Sequence, residues 1–205
     1  MPSTVVHLAL AGLIAAALLG DDFDRRALAV VFVVVAVPDL DSFLISTDAG
    51  HRTVLHNLWV AVVPAALMLV DLRVREESLL RRRWGAWGVR VAWVALFCYL
   101  AAHLALDIAD GYVNVLWPVF DQFYTLDGSI ELSSQRGIVN TFSNGGVPLL
   151  EARGTSSETQ ITTGVDPGDG QTERLFPVVR AGWQLVVLVG GVGVTALRLS
   201  LDSTD

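Results

Sequence analysis

The chain has 205 residues, of which 53% are hydrophobic and 17% are charged, and its formal net charge is −7. This composition excludes an intrinsically disordered chain, which would be poor in hydrophobic residues, and it argues against a nucleic-acid-binding protein, which would present a basic face. The single cysteine, Cys98, excludes an internal disulfide and a zinc site built on cysteines.

Five apolar segments have about the length, roughly 17–25 residues, that a membrane-spanning helix requires. In chain order they cover residues 4–20, 27–45, 55–72, 89–108 and 178–199. The first segment has no positive charge ahead of it, unlike a cleaved signal peptide. The sequence therefore predicts an all-α fold, a polytopic membrane helical bundle of about five transmembrane helices, rather than a soluble helical protein.

A long polar stretch separates the fourth apolar segment from the fifth. We therefore divide the chain into a four-helix membrane domain at 1–120, an external polar acidic loop at 121–177, and a C-terminal transmembrane helix with a short tail at 178–205. Short alternating pieces at 123–126, 129–132 and 160–163 leave both short strands and a partly disordered loop open. The loop is either a solvated acidic segment or a lid over a functional site.

Arginines are concentrated in two of the links between apolar segments. The link between segments one and two contains Arg25 and Arg26. The link between segments three and four contains Arg73, Arg75, Arg81, Arg82, Arg83 and Arg90. Short cytoplasmic loops collect positive charge. We therefore predict a multi-pass protein of the plasma membrane, with both links in the cytoplasm and with the N terminus and the polar loop on the extracytoplasmic side.

Seven ionisable residues lie within or at the edges of the first four apolar segments. They are His7, Asp39, Asp41, His51, His56, His103 and Asp107. Taken singly, each can be an interfacial, helix-ending or loop residue. Because successive helices run in opposite directions, however, all seven fall at the same, extracytoplasmic end of the bundle. Ionisable groups inside a bilayer are costly and usually face a cavity or each other, so this agreement predicts one shared site.

The residue types in this set favour a metal site. His103 and Asp107 are four residues apart and therefore project from one face of a helix. Imidazoles and carboxylates bind zinc and manganese, so we expect a divalent metal ion, zinc or manganese, with all seven residues as candidate ligands. Seven ligands exceed the need of one tetrahedral ion, which leaves one or two ions per chain open. Two-metal sites commonly hydrolyse phosphoesters.

The chain combines several short motifs in a specific order: His7, Pro38-Asp39-Leu40-Asp41, a loop at 51–57, His103 with Asp107, Gly111, and Leu116-Trp117-Pro118. This set, over roughly residues 1–120, resembles the YdjM-like family of membrane-bound metal-dependent hydrolases. The resemblance implies a small multi-helix membrane protein with a metal-dependent hydrolase site, distantly similar to the zinc-dependent phospholipase C and P1 nuclease group.

The loop at 51–57 departs from the family pattern at three positions. Family members tend to have His-Arg-Gly-x-Thr-His-Ser there, whereas Thr53, Leu55 and Asn57 stand in this chain in place of the glycine, the threonine and the serine. The two histidines and Arg52 remain, so the expected ligands are kept while the loop geometry is expected to differ.

Together these features predict a membrane-embedded metal-dependent hydrolase that acts on a phosphoester or lipid-like substrate. Asp39 and Asp41 are candidate general bases, and Arg52 is the candidate cation for an anionic substrate. The expected partners are membrane lipids and a small-molecule or lipid substrate, with no nucleic acid. The alternative is a proton- or ion-coupled transporter that uses the same Asp/His cluster. A haem-binding or structural membrane protein is a third reading, although haem needs no aspartates.

Overall fold

The computed structural model describes residues 2–44, 52–141, 150–159 and 177–202. The helices are α1 (Thr4–Leu18), α2 (Arg25–Ala36), α3 (Asp41–Leu44), α4 (Trp59–Arg73), α5 (Leu79–Cys98), α6 (Ala105–Ala109) and α7 (Gly182–Asp202). A 3₁₀ turn at Val37–Leu40 joins α2 to α3, and a π-helical stretch at Tyr99–Leu104 joins α5 to α6. The protein is therefore mostly helical, as its hydropathy predicts.

Side-chain caps define the helix starts at the arginine-rich end of the bundle. Asp24 begins α2 by accepting a hydrogen bond from the Ala27 amide at 2.6 Å. Ser78 begins α5 by accepting one from the Arg81 amide at 3.1 Å. Ser78 also donates to the carboxylate of Asp71 at 2.7 Å. This last bond connects the end of α4 to the start of α5 and fixes the tight turn between them.

Helix α1 lies at the centre of the bundle, against α2, α5 and α7. Buried small residues such as Ala11 and Ala15 allow Val31 and Val35 of α2, and Ala95 of α5, to approach it closely. Apolar burial of this kind stabilises helix pairing only where the surfaces fit, because lipid solvates exposed valine as well as protein does. The position of α1, and of the histidine in its second turn, is therefore fixed from several sides.

Two helical stretches among the described residues are long and apolar enough to cross a membrane: Leu79–Ala109 and Gly182–Leu201. Helix α1 is apolar but shorter. The second predicted segment, 27–45, is not one continuous helix: α2 has 12 residues, and the chain tightens into the 3₁₀ turn at Pro38, which has no amide hydrogen to donate. Helix α4 has 15 residues and contains Pro64. Helix length thus supports a membrane protein but does not establish five crossings.

The polar stretch after α6 contains four short strands within its described parts. Strand β1 (Tyr124–Thr125) pairs with β4 (Glu151–Ala152), and β2 (Ile130–Ser133) pairs with β3 (Gly137–Asn140), all antiparallel. The amide of Leu126 donates to the Ile108 carbonyl at 2.9 Å, which attaches β1 to the end of α6. Two of the three strand-like pieces therefore form strands, and the third, 160–163, lies outside the described residues.

Candidate metal centre

The elements that carry the predicted site residues converge at one end of the bundle. His7 lies in α1 near its start, Asp39 lies in the 3₁₀ turn that ends α2, and His56 lies in the loop that precedes α4. His103 and Asp107 lie in the π-helical stretch and in α6, at the end of the long α5 helix. Helices α1 and α4 begin at this end of the bundle and α2 and α5 end there, because successive helices run in opposite directions.

The ligand atoms of these side chains face one another at short range. His7 Nε2 lies 3.4 Å from Asp107 Oδ1, and His56 Nε2 lies 3.4 Å from Asp39 Oδ1. His103 Nε2 lies 3.6 Å from both Asp39 Oδ1 and Asp107 Oδ2. His56 Nε2 lies 3.7 Å from Asp107 Oδ2. Three imidazoles and two carboxylates therefore point their Nε2 and oxygen atoms into the same small volume.

The outer nitrogens of two of these imidazoles are held by acceptors. Nδ1 of His7 lies 2.7 Å from the Ala102 carbonyl, and Nδ1 of His56 lies 2.8 Å from Asp41 Oδ2. A carbonyl can only accept, so His7 donates from Nδ1 and keeps the lone pair on Nε2. The carboxylate of Asp41 likewise accepts from Nδ1 of His56, which leaves the lone pair of His56 on Nε2. Metal-binding histidines are typically oriented in this way by a second hydrogen bond.

His103 sits in the middle of the cluster with no hydrogen bond in the described part of the chain. Both of its ring nitrogens are buried and unpartnered there. Its ring stacks on His7 at a centroid distance of 4.2 Å and lies 4.8 Å from the ring of His56. Burying a polar nitrogen without a partner costs about 1–3 kcal/mol. An ion bound at Nε2 would remove part of this cost.

The spacing of these atoms fits a divalent metal ion. Ligand atoms at about 2.0–2.2 Å from a tetrahedral zinc ion are about 3.3–3.6 Å from each other. The five distances above span 3.4–3.7 Å. Two overlapping groups could hold an ion, one formed by His7, His103 and Asp107 and the other by Asp39, His56 and His103. Because the groups share His103, both one ion and two ions are compatible with this arrangement.

Arg52 is part of the same buried network. Its Nη2 donates to Asp107 Oδ1 at 2.7 Å, and its Nη1 donates to the Tyr112 carbonyl at 3.0 Å. Its backbone has a φ of +64°, which is a left-handed conformation that few non-glycine residues adopt. The side chain is 2% exposed, so the guanidinium lies inside the protein. Arg52 therefore contacts a cluster carboxylate directly.

Two supporting side chains were not singled out by the sequence. The Tyr99 hydroxyl lies 3.0 Å from the Leu55 carbonyl and 2.7 Å from the Asn57 carbonyl, which holds the loop that carries His56. Thr4 donates a hydrogen bond to Asp39 Oδ2. The available signal was their spacing: Tyr99 precedes His103 by four residues, and Thr4 precedes His7 by three, so each shares a helical face with a candidate ligand.

Not all predicted ligands occupy equivalent positions. His7, Asp39, His56, His103 and Asp107 are the members of the two possible metal-binding groups. The carboxylate of Asp41 is fully buried and is hydrogen-bonded to the outer nitrogen of His56. His51, the remaining predicted ligand, lies outside the described residues.

The centre is closed on most sides. The side chains of His7, His56, His103 and Asp107 are at most 2% exposed, whereas that of Asp39 is 23% exposed. Asp39, in the 3₁₀ turn after α2, is therefore the most accessible of the five residues in the two possible metal-binding groups. Leu40, the next residue in that turn, is also exposed.

Comparison with known protein families identifies the family to which the chain belongs. The sequence profile of the family described as YdjM inner membrane protein matches residues 1–155, which extends the resemblance beyond residue 120 and through β4. No curated protein and no solved structure shows a significant match to the chain. A match over three quarters of the chain, with the motif histidines and aspartates gathered at one end of a helical bundle, shows that the chain belongs to the YdjM inner membrane protein family.

Proposed function

We propose that this protein is a membrane-embedded, metal-dependent hydrolase that acts on a phosphoester or lipid-like substrate at the outer leaflet. The observation that carries the proposal is the convergence of three imidazoles and two carboxylates with spacings of 3.4–3.7 Å around His103, whose ring nitrogens have no described hydrogen-bond partner. Such a group is costly to bury without a cation and is built from the ligands that zinc and manganese take.

The charge of the cluster supports a divalent cation. Within the described residues, three carboxylates, of Asp39, Asp41 and Asp107, lie near one guanidinium, that of Arg52. With neutral imidazoles this leaves an excess of negative charge in a buried region, where an unbalanced charge is unfavourable. Zinc or manganese, held as one or two ions by His7, Asp39, His56, His103 and Asp107, would balance it. When bound, such a cation acts as a Lewis acid on a phosphoryl or carbonyl oxygen.

The remaining side chains have distinct proposed roles. Asp39 is the most exposed carboxylate of the cluster, so it is the better placed of the two candidate general bases. Asp41 instead orients His56 and keeps its Nε2 directed at the centre. Arg52 donates a hydrogen bond to Asp107, and its Nε, which has no hydrogen-bond partner among the described residues, is one donor left for an anionic substrate.

We also propose that all five apolar segments cross the plasma membrane, with the centre on the extracytoplasmic side. The arginine-rich links lie at the opposite end of the bundle from the cluster, because His103 follows Gly85, where α5 is interrupted just after Arg81, Arg82 and Arg83, by 18 positions of helix. At about 1.5 Å per residue this is roughly 30 Å, the thickness of the hydrocarbon core. We therefore assign the arginine-rich end of the bundle to the cytoplasm, because short cytoplasmic loops collect positive charge.

The first experiment measures metal content in detergent-purified protein by mass spectrometry. We expect one or two zinc or manganese ions per chain in the wild type, and their loss in Asp39→Asn and in His103→Ala. Asp127→Asn is the matched control, because Asp127 is a 72% exposed carboxylate in the polar segment and its loss should leave metal content unchanged. A wild type that binds no metal after reconstitution, or variants that keep it, would overturn the proposal.

Activity is tested on the same samples with bis(p-nitrophenyl) phosphate, a chromogenic phosphodiester, and with phospholipid vesicles. Metal-dependent release of product that is lost in Asp39→Asn and kept in Asp127→Asn supports hydrolysis. If metal is bound but no ester is cleaved, proton flux in liposomes is the measurement that separates a hydrolase from the transporter alternative.

A further inference from the structure

A second cluster of charge lies at the other end of the long helix, far from the metal centre. Near the start of α5 is a cavity of about 530 Å³ that is lined by Arg81, Gly85, Ala86, Val89 and Arg90. Its lining combines two arginines with an apolar wall of Gly85, Ala86 and Val89. None of these residues takes part in the candidate metal centre, and the hydrolase proposal does not use them.

The helix is interrupted at Gly85, one of the residues that line the cavity. This residue has φ +67° and ψ −160°, which is outside the helical region, although helix continues on both sides of it. A glycine adopts a positive φ without strain. A side-chain carbon built at this position would meet no atom within 4 Å, so the absent side chain leaves open space.

The two arginines differ in how far they are already neutralised. Nη1 of Arg90 lies 3.1 Å from Asp22 Oδ2, so part of its charge is balanced. Arg81 forms no ion pair with any described residue, and its side chain is exposed. The cavity therefore contains an unsatisfied positive charge beside a partly satisfied one, an arrangement that suits an anion with several oxygen acceptors.

The depth of the cavity points to the lipid headgroup region. Trp84, one residue before Gly85, is 55% exposed, and the guanidinium of Arg83 lies over its ring at 5.8 Å. Exposed tryptophan and arginine mark the membrane interface, where headgroup phosphates lie. From Gly85 the apolar wall formed by Ala86 and Val89 continues along α5 into the hydrophobic part of the helix.

We propose that this cavity binds the phosphate group of an anionic phospholipid, with Arg81 and Arg90 contacting the phosphate and the apolar wall contacting the acyl chains. Basic pockets beside transmembrane helices on the cytoplasmic side are suited to acidic lipid headgroups. A soluble phosphate could contact the two arginines as a lipid phosphate does, but it has no acyl chain to pack against Ala86 and Val89. The apolar wall therefore favours a lipid.

Native mass spectrometry of the detergent-purified full chain, titrated with phosphatidylglycerol or phosphatidylcholine, tests this assignment. We expect the first phosphatidylglycerol to bind more tightly than phosphatidylcholine, and Arg81→Gln to weaken it by about ten-fold, as expected for loss of a charged hydrogen bond. Arg81→Gln removes no described ion pair, so it should fold normally. Arg81→Gln with Arg90→Gln should abolish the preference for phosphatidylglycerol.

The matched control is Arg25→Gln with Arg26→Gln, which removes two exposed positive charges at the same end of the bundle but away from the cavity. This control should change phosphatidylglycerol affinity by no more than about two-fold, because diffuse attraction is screened by salt. An equal loss in both double variants would show that the attraction is diffuse and overturn the site. Displacement of phosphatidylglycerol by equimolar glycerol 3-phosphate would overturn its assignment to a lipid.

Discussion

Nη2 of Arg52 lies 2.7 Å from Oδ1 of Asp107, and both side chains are at most 2% exposed. The second oxygen of the same carboxylate faces His56 and His103. Asp107 therefore connects a cation supplied by the loop to the imidazoles of the candidate metal centre. A buried ion pair of this kind is costly to break from one side, because the remaining partner keeps its charge without compensation.

Removing the guanidinium should destabilise the fold. We expect Arg52→Met to lower the free energy of unfolding by about 3–5 kcal/mol in metal-free protein, because it leaves the Asp107 carboxylate buried without its cation. Arg52→Met with Asp107→Asn should recover part of the loss. Thermal unfolding followed with a thiol-reactive dye measures this, since Cys98, the single cysteine, is buried until the protein unfolds.

Arg153→Met is the matched control for that series. Arg153 pairs with Glu151 at 3.1 Å, but both side chains are 42% exposed. An exposed pair contributes at most about 1 kcal/mol. If Arg52→Met shifts the melting temperature no more than Arg153→Met does, the buried pair does not have the energetic role assigned to it.

A separate prediction distinguishes a residue that orients a ligand from one that binds the ion. Asp41→Asn should weaken metal affinity by roughly 10–100-fold while leaving the saturated stoichiometry unchanged, because Asp41 acts on His56 through Nδ1. Asp39→Asn should lower the stoichiometry itself. Competition with a fluorescent chelator at rising metal concentration separates the two outcomes. Loss of stoichiometry in Asp41→Asn would instead place Asp41 among the direct ligands.

Much of the location of the site could be predicted from the sequence, whereas its local geometry could not. Hydropathy gives the direction of each helix, so alternation alone brings His7, Asp39 and His103 to one end. The hydropathy pattern does not, however, report the local backbone conformation. It extended the second segment through Pro38, where the helix tightens to 3₁₀, and it could not show the left-handed conformation at Arg52. It also treated the π-helical stretch around His103 as ordinary helix.

The contacts that orient the ligands could not be predicted from the sequence either. Tyr99 holds the loop through two carbonyl acceptors, and His7 donates to the carbonyl of Ala102. Backbone carbonyls are present at every residue, so no side-chain pattern can identify which of them a histidine or tyrosine will reach. Long-range bonds of this type follow from packing and become visible only in the folded chain.

Asp121 provides a prediction about pH in the polar segment. Partial burial raises the pKa of its carboxyl group, but hydrogen bonds from Ser156 and Asn114 outweigh this, and the pKa lies below the ordinary value of 3.8. A group with a lowered pKa stabilises the fold above its unfolded value, and this contribution is lost as the pH falls through the folded value. The protection factors of the 153–158 amides, which correct for the intrinsic pH dependence of hydrogen exchange, should therefore be high at pH 5 and fall only below about pH 4.

Asp121→Asn should remove that pH dependence and give low protection factors at both pH values. The control is Glu131→Gln, which removes an exposed carboxylate of the polar stretch that contacts Ser129 and not the 153–158 segment. If wild-type protection of 153–158 is already lost near pH 5, the hydrogen bonds from Ser156 do not hold this loop.

The proposed sidedness can be measured with two introduced cysteines. Glu77 lies in the arginine-rich link with its side chain 81% exposed, and Asp127 lies in the polar segment with its side chain 72% exposed. In right-side-out vesicles, a membrane-impermeant maleimide should label Asp127→Cys at once and Glu77→Cys only after permeabilisation. The native Cys98 is buried and adds little background. The reverse labelling pattern would place the metal centre on the cytoplasmic face.

The last prediction concerns α7, which lies beyond the part of the chain that matches the family. A side-chain carbon at Gly191 would collide with the backbone oxygen of Ala9, whereas one at Gly193 would meet no atom within 4 Å. Gly191→Ala should therefore destabilise the protein by about 1–3 kcal/mol through overpacking, while Gly193→Ala should be neutral or slightly stabilising. Because Ala9 follows His7 by two residues in α1, the shift of α1 should also weaken metal affinity in Gly191→Ala. Equal melting temperatures and affinities in the two variants would mean that α7 does not position the helix that carries His7.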